Sequence, residues 1–140
     1  MGWENYHLHQ FIVGTVYYGE PDPDVAYEMK DDRRARLRHI ARQAGEGFLY
    51  EYDFGDSWRH VITVEQIQPG TQERLSPRCL EGAQACPAED CGGVSGYEYL
   101  LAMLHSAHHP EHREIRKWAG EHFDSKLFSW QAANSALAIH

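Results

Sequence analysis

No run of this chain is long and apolar enough to cross a membrane, and the opening residues MGWENYHLHQF carry neither the basic nor the apolar segment of a secretory signal. The expectation is a cytoplasmic protein with no membrane partner. Cysteine is scarce as well. There are three, an odd number confined to one short segment, which excludes a secreted disulfide framework and leaves Cys79, Cys86 and Cys91 as thiols or metal ligands. Positive charge is outweighed: 13 Lys and Arg against 21 Asp and Glu give a formal net charge of -8, so nucleic acid is not expected to be held through a basic surface. Within that balance Lys30, Arg33, Arg34, Arg36, Arg38 and Arg42 crowd together, but Asp31 and Asp32 sit among them, and the stretch reads as a solvated amphipathic segment. Acidity favours protein partners, cations or small ligands. Internal repeats and low-complexity tracts are missing too, and 140 residues fit a single domain over 1–140 with a core of its own.

What the chain does have is an aromatic hairpin. Phe48, Tyr50, Tyr52 and Phe54 alternate with Leu49, Glu51 and Asp53, the period of two of a strand, and Trp58, His60, Ile62 and Val64 recur at the same spacing. Gly55, Asp56 and Ser57 supply the turn, glycine by tolerating positive φ and Asp or Ser by bonding back to the backbone. Leu8 to Tyr18 reads as another strand, buried on both faces. GEPDPD at 19–24 interrupts regular structure. Leu37, Ile40, Ala41 and Ala44 then form the stripe of a short helix over 34–44 that Gly45 ends.

Pro69 to Gly96, with three prolines, five glycines and all three cysteines, is longer than compact domains spend on a connection and reads as a functional loop. Beyond it, Tyr97, Leu100, Leu101 and Leu104 predict a helix to His105. Ile115, Trp118 and Ala119 predict a second after the His108-His109-Pro110 break, and the tail from Lys126 a last one. This order implies an α+β class: a small antiparallel sheet with a central β-hairpin at about 48–67, packed by C-terminal helices, with one long Cys/Gly/Pro loop.

Two segments carry a family likeness. YEYDFGDSWRH at 50–60 is framed by Tyr52, Phe54, Gly55 and Trp58, and PRCLEGAQACPAEDCGGVSGYEYL at 77–100 contains Glu89, Asp90, Gly92, Gly93 and Tyr97. Together they resemble the Ri-plasmid ORF-three-like domain family, also described as a passenger of an insertion element. GWENYHLHQF and HPEHREIRKWAGEHFDSKLF extend the likeness over nearly the whole chain. The resemblance implies an α+β domain of bacteria and archaea, found with mobile elements or fused to other modules, and brings no activity with it. A resolvase-like label sometimes attached to the family is not supported, since a serine recombinase needs a nucleophilic serine amid arginines and a basic DNA-binding domain. Relatives place a further strand and helix ahead of the GW-x-x-x-HLH-x-F segment, which here starts at Gly2. A shortened domain of this kind is expected to expose apolar surface that self-association or a partner covers.

Thiolates and imidazoles are preferred zinc ligands, so a loop gathering Cys79, Cys86 and Cys91 around His60 would make a structural zinc site. Six residues separate the first cysteine pair and four the second, unlike Cys-x2-Cys knuckles, and the competing reading is of small buried apolar thiols. An alternative metal or ligand site uses His7 and His9, which share a face of an extended segment, with Asp53 or Asp56. Glu89 and Asp90 read as caps of the following helix or as acids bonding loop amides, and His105, His108, His109 and His112 as solvated side chains around a helix break. Two function classes follow. One is a binding or adaptor domain of a mobile-element or defence context, holding a protein partner through hairpin and loop, with zinc locking the loop. The other is a small metal-dependent hydrolase or nucleic-acid-processing enzyme built on the histidines and aspartates of the hairpin region. The acidic balance, the loop composition and the lack of a recognisable catalytic motif favour the first, and no catalytic residue is assigned.

Overall fold

A computed structural model describes residues 2–24, 27–70 and 76–138, so residues 71–75 of the expected long loop lie outside the described residues. The chain groups into two compact units, one of residues 5–70 and one of residues 1–4 with 71–140. In the first, the described residues form a five-stranded sheet of β1 (His9–Val13), β2 (Val16–Gly19), β3 (Met29–Asp31), β4 (Gly47–Tyr52) and β5 (Trp58–Thr63). The spatial order is β3-β2-β1-β4-β5. Three pairings are antiparallel, and β3 runs parallel to β2. The α+β class holds, with β3 making the sheet mixed where an antiparallel one was expected.

The strand expected over 8–18 is two strands. Gly14 and Thr15 form a turn that folds β2 back on β1, placing Phe11 opposite Tyr18 and Ile12 opposite Tyr17. A two-residue turn inverts the alternation, pairing odd positions of β1 with even positions of β2, and because both strands carry apolar or aromatic residues on both faces the change of phase leaves no clear mark in the pattern. The helix expected over 34–44 shrinks to one turn, α1 (Leu37–Ile40), after a 3-10 turn at Asp32–Arg34. The Glu46 carboxylate accepts from the Arg42 and Gln43 amides at 2.8 and 3.2 Å, taking donors that a longer helix would use. Gly45 ends no helix. It takes φ 88 and opens a β-bulge in which Gly45 N–H donates to Val64 O and Val64 N–H to Glu46 O, each at 2.8 Å.

Strand β4 runs between β1 and β5, and its alternation creates two faces. Phe48, Tyr50 and Tyr52 share one with His9 and Phe11 of β1 and with Trp58, His60 and Ile62 of β5. Phe48, Tyr52 and Trp58 are buried, Tyr52 to 1% exposure. The other face carries Leu49 and Glu51, and Glu51 is 6% exposed. Its Oε2 accepts from Gln10 Nε2 at 2.7 Å, and its Oε1 accepts from Ser57 Oγ at 2.7 Å and Arg59 Nε at 3.1 Å. Tyr27 Oη donates to Gln10 Oε1 at 2.9 Å, extending the chain of bonds. Burial pushes the Glu51 carboxyl up, but the bonds from Gln10, Ser57 and Arg59 outweigh it and hold the group below its ordinary 4.5. The β4–β5 turn places Asp53 and Ser57, at φ 56 and 53, in the left-handed region. Asp53 Oδ1 accepts from the Gly55 and Asp56 amides at 2.9 and 3.3 Å, so the aspartate organises a turn expected to rest on Gly55.

In the second unit the described helices are α2 (Gly93–His105), α3 (His112–Ala119) and α4 (Trp130–Leu137), close to those expected. A Cβ on Gly96 would lie 1.8 Å from Cys91 O, so only glycine lets the first turn of α2 pass the preceding carbonyl. Gly92 stands at the N-cap, Glu89 accepts from the Glu4 amide at 2.9 Å, and Trp3 Nε1 donates to Pro87 O at 3.0 Å. Around the helix break, His105 donates to Leu101 O at 2.6 Å and His112 to Met103 O at 2.9 Å, so these rings secure the α2–α3 corner. Asn134 of α4 brackets Cys79, accepting from its amide and donating to its carbonyl, both at 2.9 Å.

Because folding lowers the Glu51 value, its contribution is fully present above pH 4.5 and is lost as pH falls through the lower folded value. Thermal melts should show Glu51→Gln less stable than wild type near neutrality by about 1–3 kcal/mol, with the gap closing toward acid; a gap independent of pH would refute this role. Gly96→Ala is expected to lower the urea midpoint, at a cost of at least about 2 kcal/mol, because its partner atom is backbone and cannot swing aside.

Candidate functional site

Strand β1 begins at His9, whose ring lies on the aromatic face with centroids 5.9 Å from both Phe11 and Tyr50. Strand β2 ends at Gly19, opposite Gln10 and beside Asp31. The residue that follows β3, Asp32, reaches His9, with Nε2 and Oδ2 2.9 Å apart. An ionised carboxylate only accepts, so Nε2 of His9 carries the proton that faces Asp32. Both side chains are partly exposed, at 29% and 19%.

Tyr50 lies between two histidines, its ring centroid 5.9 Å from that of His9 and 5.6 Å from that of His60. Burial raises the Tyr50 phenol, and the nearby Tyr52 and Asp32 add to it, so the group remains an O–H donor. His60 Nδ1 donates to Tyr50 O at 3.3 Å.

His7 precedes β1. The Tyr52 hydroxyl accepts from the Tyr6 and His7 amides at 3.2 and 3.4 Å, the His7 ring meets Tyr52 edge-on at 5.8 Å, and His7 Nε2 is 3.8 Å from Asp53 Oδ2. The Asp53 amide donates to Leu8 O at 2.9 Å. The set of His7, His9, Asp53 and Asp56 therefore divides into His7 with Asp53 and His9 with Asp32, while the Asp56 amide bonds within the turn. A carboxylate beside an imidazole orients the ring, which is the arrangement of a general base or of a fixed structural pair.

Cys86 and Cys91 both lie near Tyr97, and each cysteine has backbone groups of its own beside it. Among the described residues, no group of three or more His, Cys, Asp or Glu donors lying within 4.8 Å of one another includes a cysteine. The Cys79 thiol donates to Glu81 O at 3.4 Å and the Cys91 thiol approaches Gly93 O at 3.9 Å. Burial pushes the Cys86 thiol up, despite the amides of Gly2 and Trp3 beside it. Among the described residues, the expected zinc ligands Cys79, Cys86, Cys91 and His60 form no such group. Burial also raises the Tyr97 phenol, with Cys91 and Cys86 adding to the effect. Phe54, at the hairpin turn, is exposed, while Tyr52 and Trp58 belong to the core.

Asp32, Gln10 and Tyr27 are the residues that sequence patterning passes over. Asp32 lies inside a charge run, and the partners of these three residues are 17 to 41 positions away. The buried Glu51 is a weak sequence signal, an acid in the middle of an apolar strand.

Among the described residues, no helix is long and apolar enough to cross a membrane. The family model described as "Plasmid pRiA4b ORF-3-like protein" matches residues 1–132. "Uncharacterized protein y4hQ" of Sinorhizobium fredii is 36% identical over 141 residues, covering 98% of this chain and 71% of that relative. The crystal structure of a protein of unknown function from Methanosarcina mazei Go1 has the same fold, with a TM-score of 0.79 and 31% identity over 94% of this chain and 75% of that one. By the extent of the family match and the identity to this relative, the chain belongs to the plasmid pRiA4b ORF-3-like protein family.

Proposed function

We propose that this chain is a binding module that takes up an extended protein segment along β5. The outward edge of that strand carries the reading. β5 closes one side of the sheet order. Val64 exchanges its backbone bonds with the bulge at Gly45 and Glu46, and antiparallel alternation then assigns the ladder bonds of β5 to Ile62, His60 and Trp58. The backbone groups of Arg59, Val61 and Thr63 point away from β4.

On the sheet face opposite the aromatics, the register aligns Tyr17, Ile12, Leu49 and Val61 across four strands. The row ends at the open edge, where Val61 is 78% exposed. Natural edges are usually guarded by charge or proline, and an apolar row that runs off an edge is what an added strand continues. Proline at Val61 would remove an outward N–H without touching the β4 ladder. Peptides selected from an extended-peptide library are expected to protect the Arg59, Val61 and Thr63 amides from exchange and to bind Val61→Pro at least about tenfold more weakly. Binding that is indifferent to Val61→Pro, in a variant with unchanged circular dichroism, would rule the edge out.

The His9–Asp32 pair favours a second reading, a small hydrolase with His9 as general base, aided by a metal ion or not. Hydrolysis of phosphodiester and carboxyl-ester model substrates, with and without added zinc, should then fall by about 100-fold or more in His9→Ala. Equal rates in wild type and variant would dismiss it.

A further inference from the structure

Strand β3 lies at the opposite edge of the sheet from β5. A cavity of about 330 Å³ opens there, lined by Tyr18, Lys30, Asp31, Arg34, Arg36 and His39, with Ala35 and Ile40 completing it. We infer that this cavity binds the phosphate group of a small organic phosphate of nucleoside-monophosphate size.

Charge is the first support. The lining brings three permanent cations and a histidine against one carboxylate, in a chain whose formal net charge is -8. That carboxylate is already engaged: Asp31 Oδ2 lies 3.3 Å from Arg34 Nε, and Asp31 Oδ1 accepts from the Arg33 amide at 3.0 Å. Among the described residues, Lys30 and Arg36 have no carboxylate within ion-pair distance. Two uncompensated cations on one wall match a dianion, and a guanidinium adds the paired donors that suit phosphate oxygens.

Shape and composition supply the second support. Parallel pairing sets Lys30 beside Tyr18, and Lys30 Nζ stands 5.9 Å from the centre of the Tyr18 ring. The ring, with Ala35 and Ile40, gives the cavity an apolar wall next to its cations, which inorganic phosphate would not use. The volume lies at the lower end of small-molecule pockets, large enough for one nucleotide. In an acidic molecule, such a local positive patch also draws anions selectively to this point of the surface.

Calorimetric titration with adenosine monophosphate, adenosine and inorganic phosphate tests the assignment on the whole chain. Adenosine monophosphate is expected to bind saturably, at least about tenfold more tightly than either fragment, and more weakly as salt rises. Lys30→Ala with Arg36→Ala should weaken it by at least about tenfold, while Arg33→Ala, which removes an exposed cation outside the lining, should change it by less than about twofold. Both cavity side chains are exposed, and circular dichroism of the double variant checks that the fold is kept. Absence of saturable binding, or equal affinity in the double variant, would overturn the site. Adenosine binding as tightly as the monophosphate would overturn the role of the phosphate, and inorganic phosphate doing so would overturn the organic ligand.

Discussion

The register of β4 between β1 and β5 is the constraint on which the sheet unit depends. Shifting it by one residue would turn Phe48, Tyr50 and Tyr52 to the face of Glu51 and bring the carboxylate among the aromatics. That slip is opposed from both faces. On one, Tyr52 is packed to near-complete burial while its hydroxyl accepts from the backbone ahead of β1. On the other, Glu51 finds donors on β1, in the turn and on β5 only in the observed register. A buried carboxylate with fewer donors would be a liability, so its bonds specify the pairing as much as they stabilise it.

The same register positions the polar groups of the aromatic face. His9 lies beside Tyr50 because β1 is paired with β4, and Asp32 reaches His9 because β2 stops at Gly19 and β3 runs parallel beside it. The two edges then acquire different characters. At β5 an apolar row meets outward backbone groups, whereas at β3 Lys30 stands over the Tyr18 ring in a cavity also lined by Arg34 and Arg36. An extended segment suits the first edge and a compact anion the second, because directional backbone bonds select one and uncompensated charge selects the other.

Much of the fold was legible in the sequence. The hairpin from Phe48, the helices after Gly92 and the α+β class follow from periods of two and of three to four that persist over whole elements. Reading failed where local chemistry overrode the period. The Gly14 turn inverts the alternation between two strands that are apolar on both faces, the Glu46 carboxylate takes amides from the expected helix, and Gly45 serves a bulge where a helix stop was expected. The candidate site was legible only in part. The histidines and Asp53 were visible as residue types, but Asp32 as the partner of His9 was not, since a carboxylate in a charge run gives no sign of the strand order that carries it there. Nearness of the three cysteines along the chain brings Cys86 and Cys91 near one phenol, Tyr97, but among the described residues does not draw three donors that include a cysteine within 4.8 Å of one another.

By itself the sequence determined the β4–β5 hairpin and the helices after Gly92, that the chain is acidic, and the family to which it belongs, because periodicity, composition and motif are properties of neighbouring residues. The tertiary structure decided which carboxylate faces which histidine, which acid is buried and still ionised, and which cations share a cavity. Those outcomes depend on strand order and register, and these are set by contacts between residues tens of positions apart.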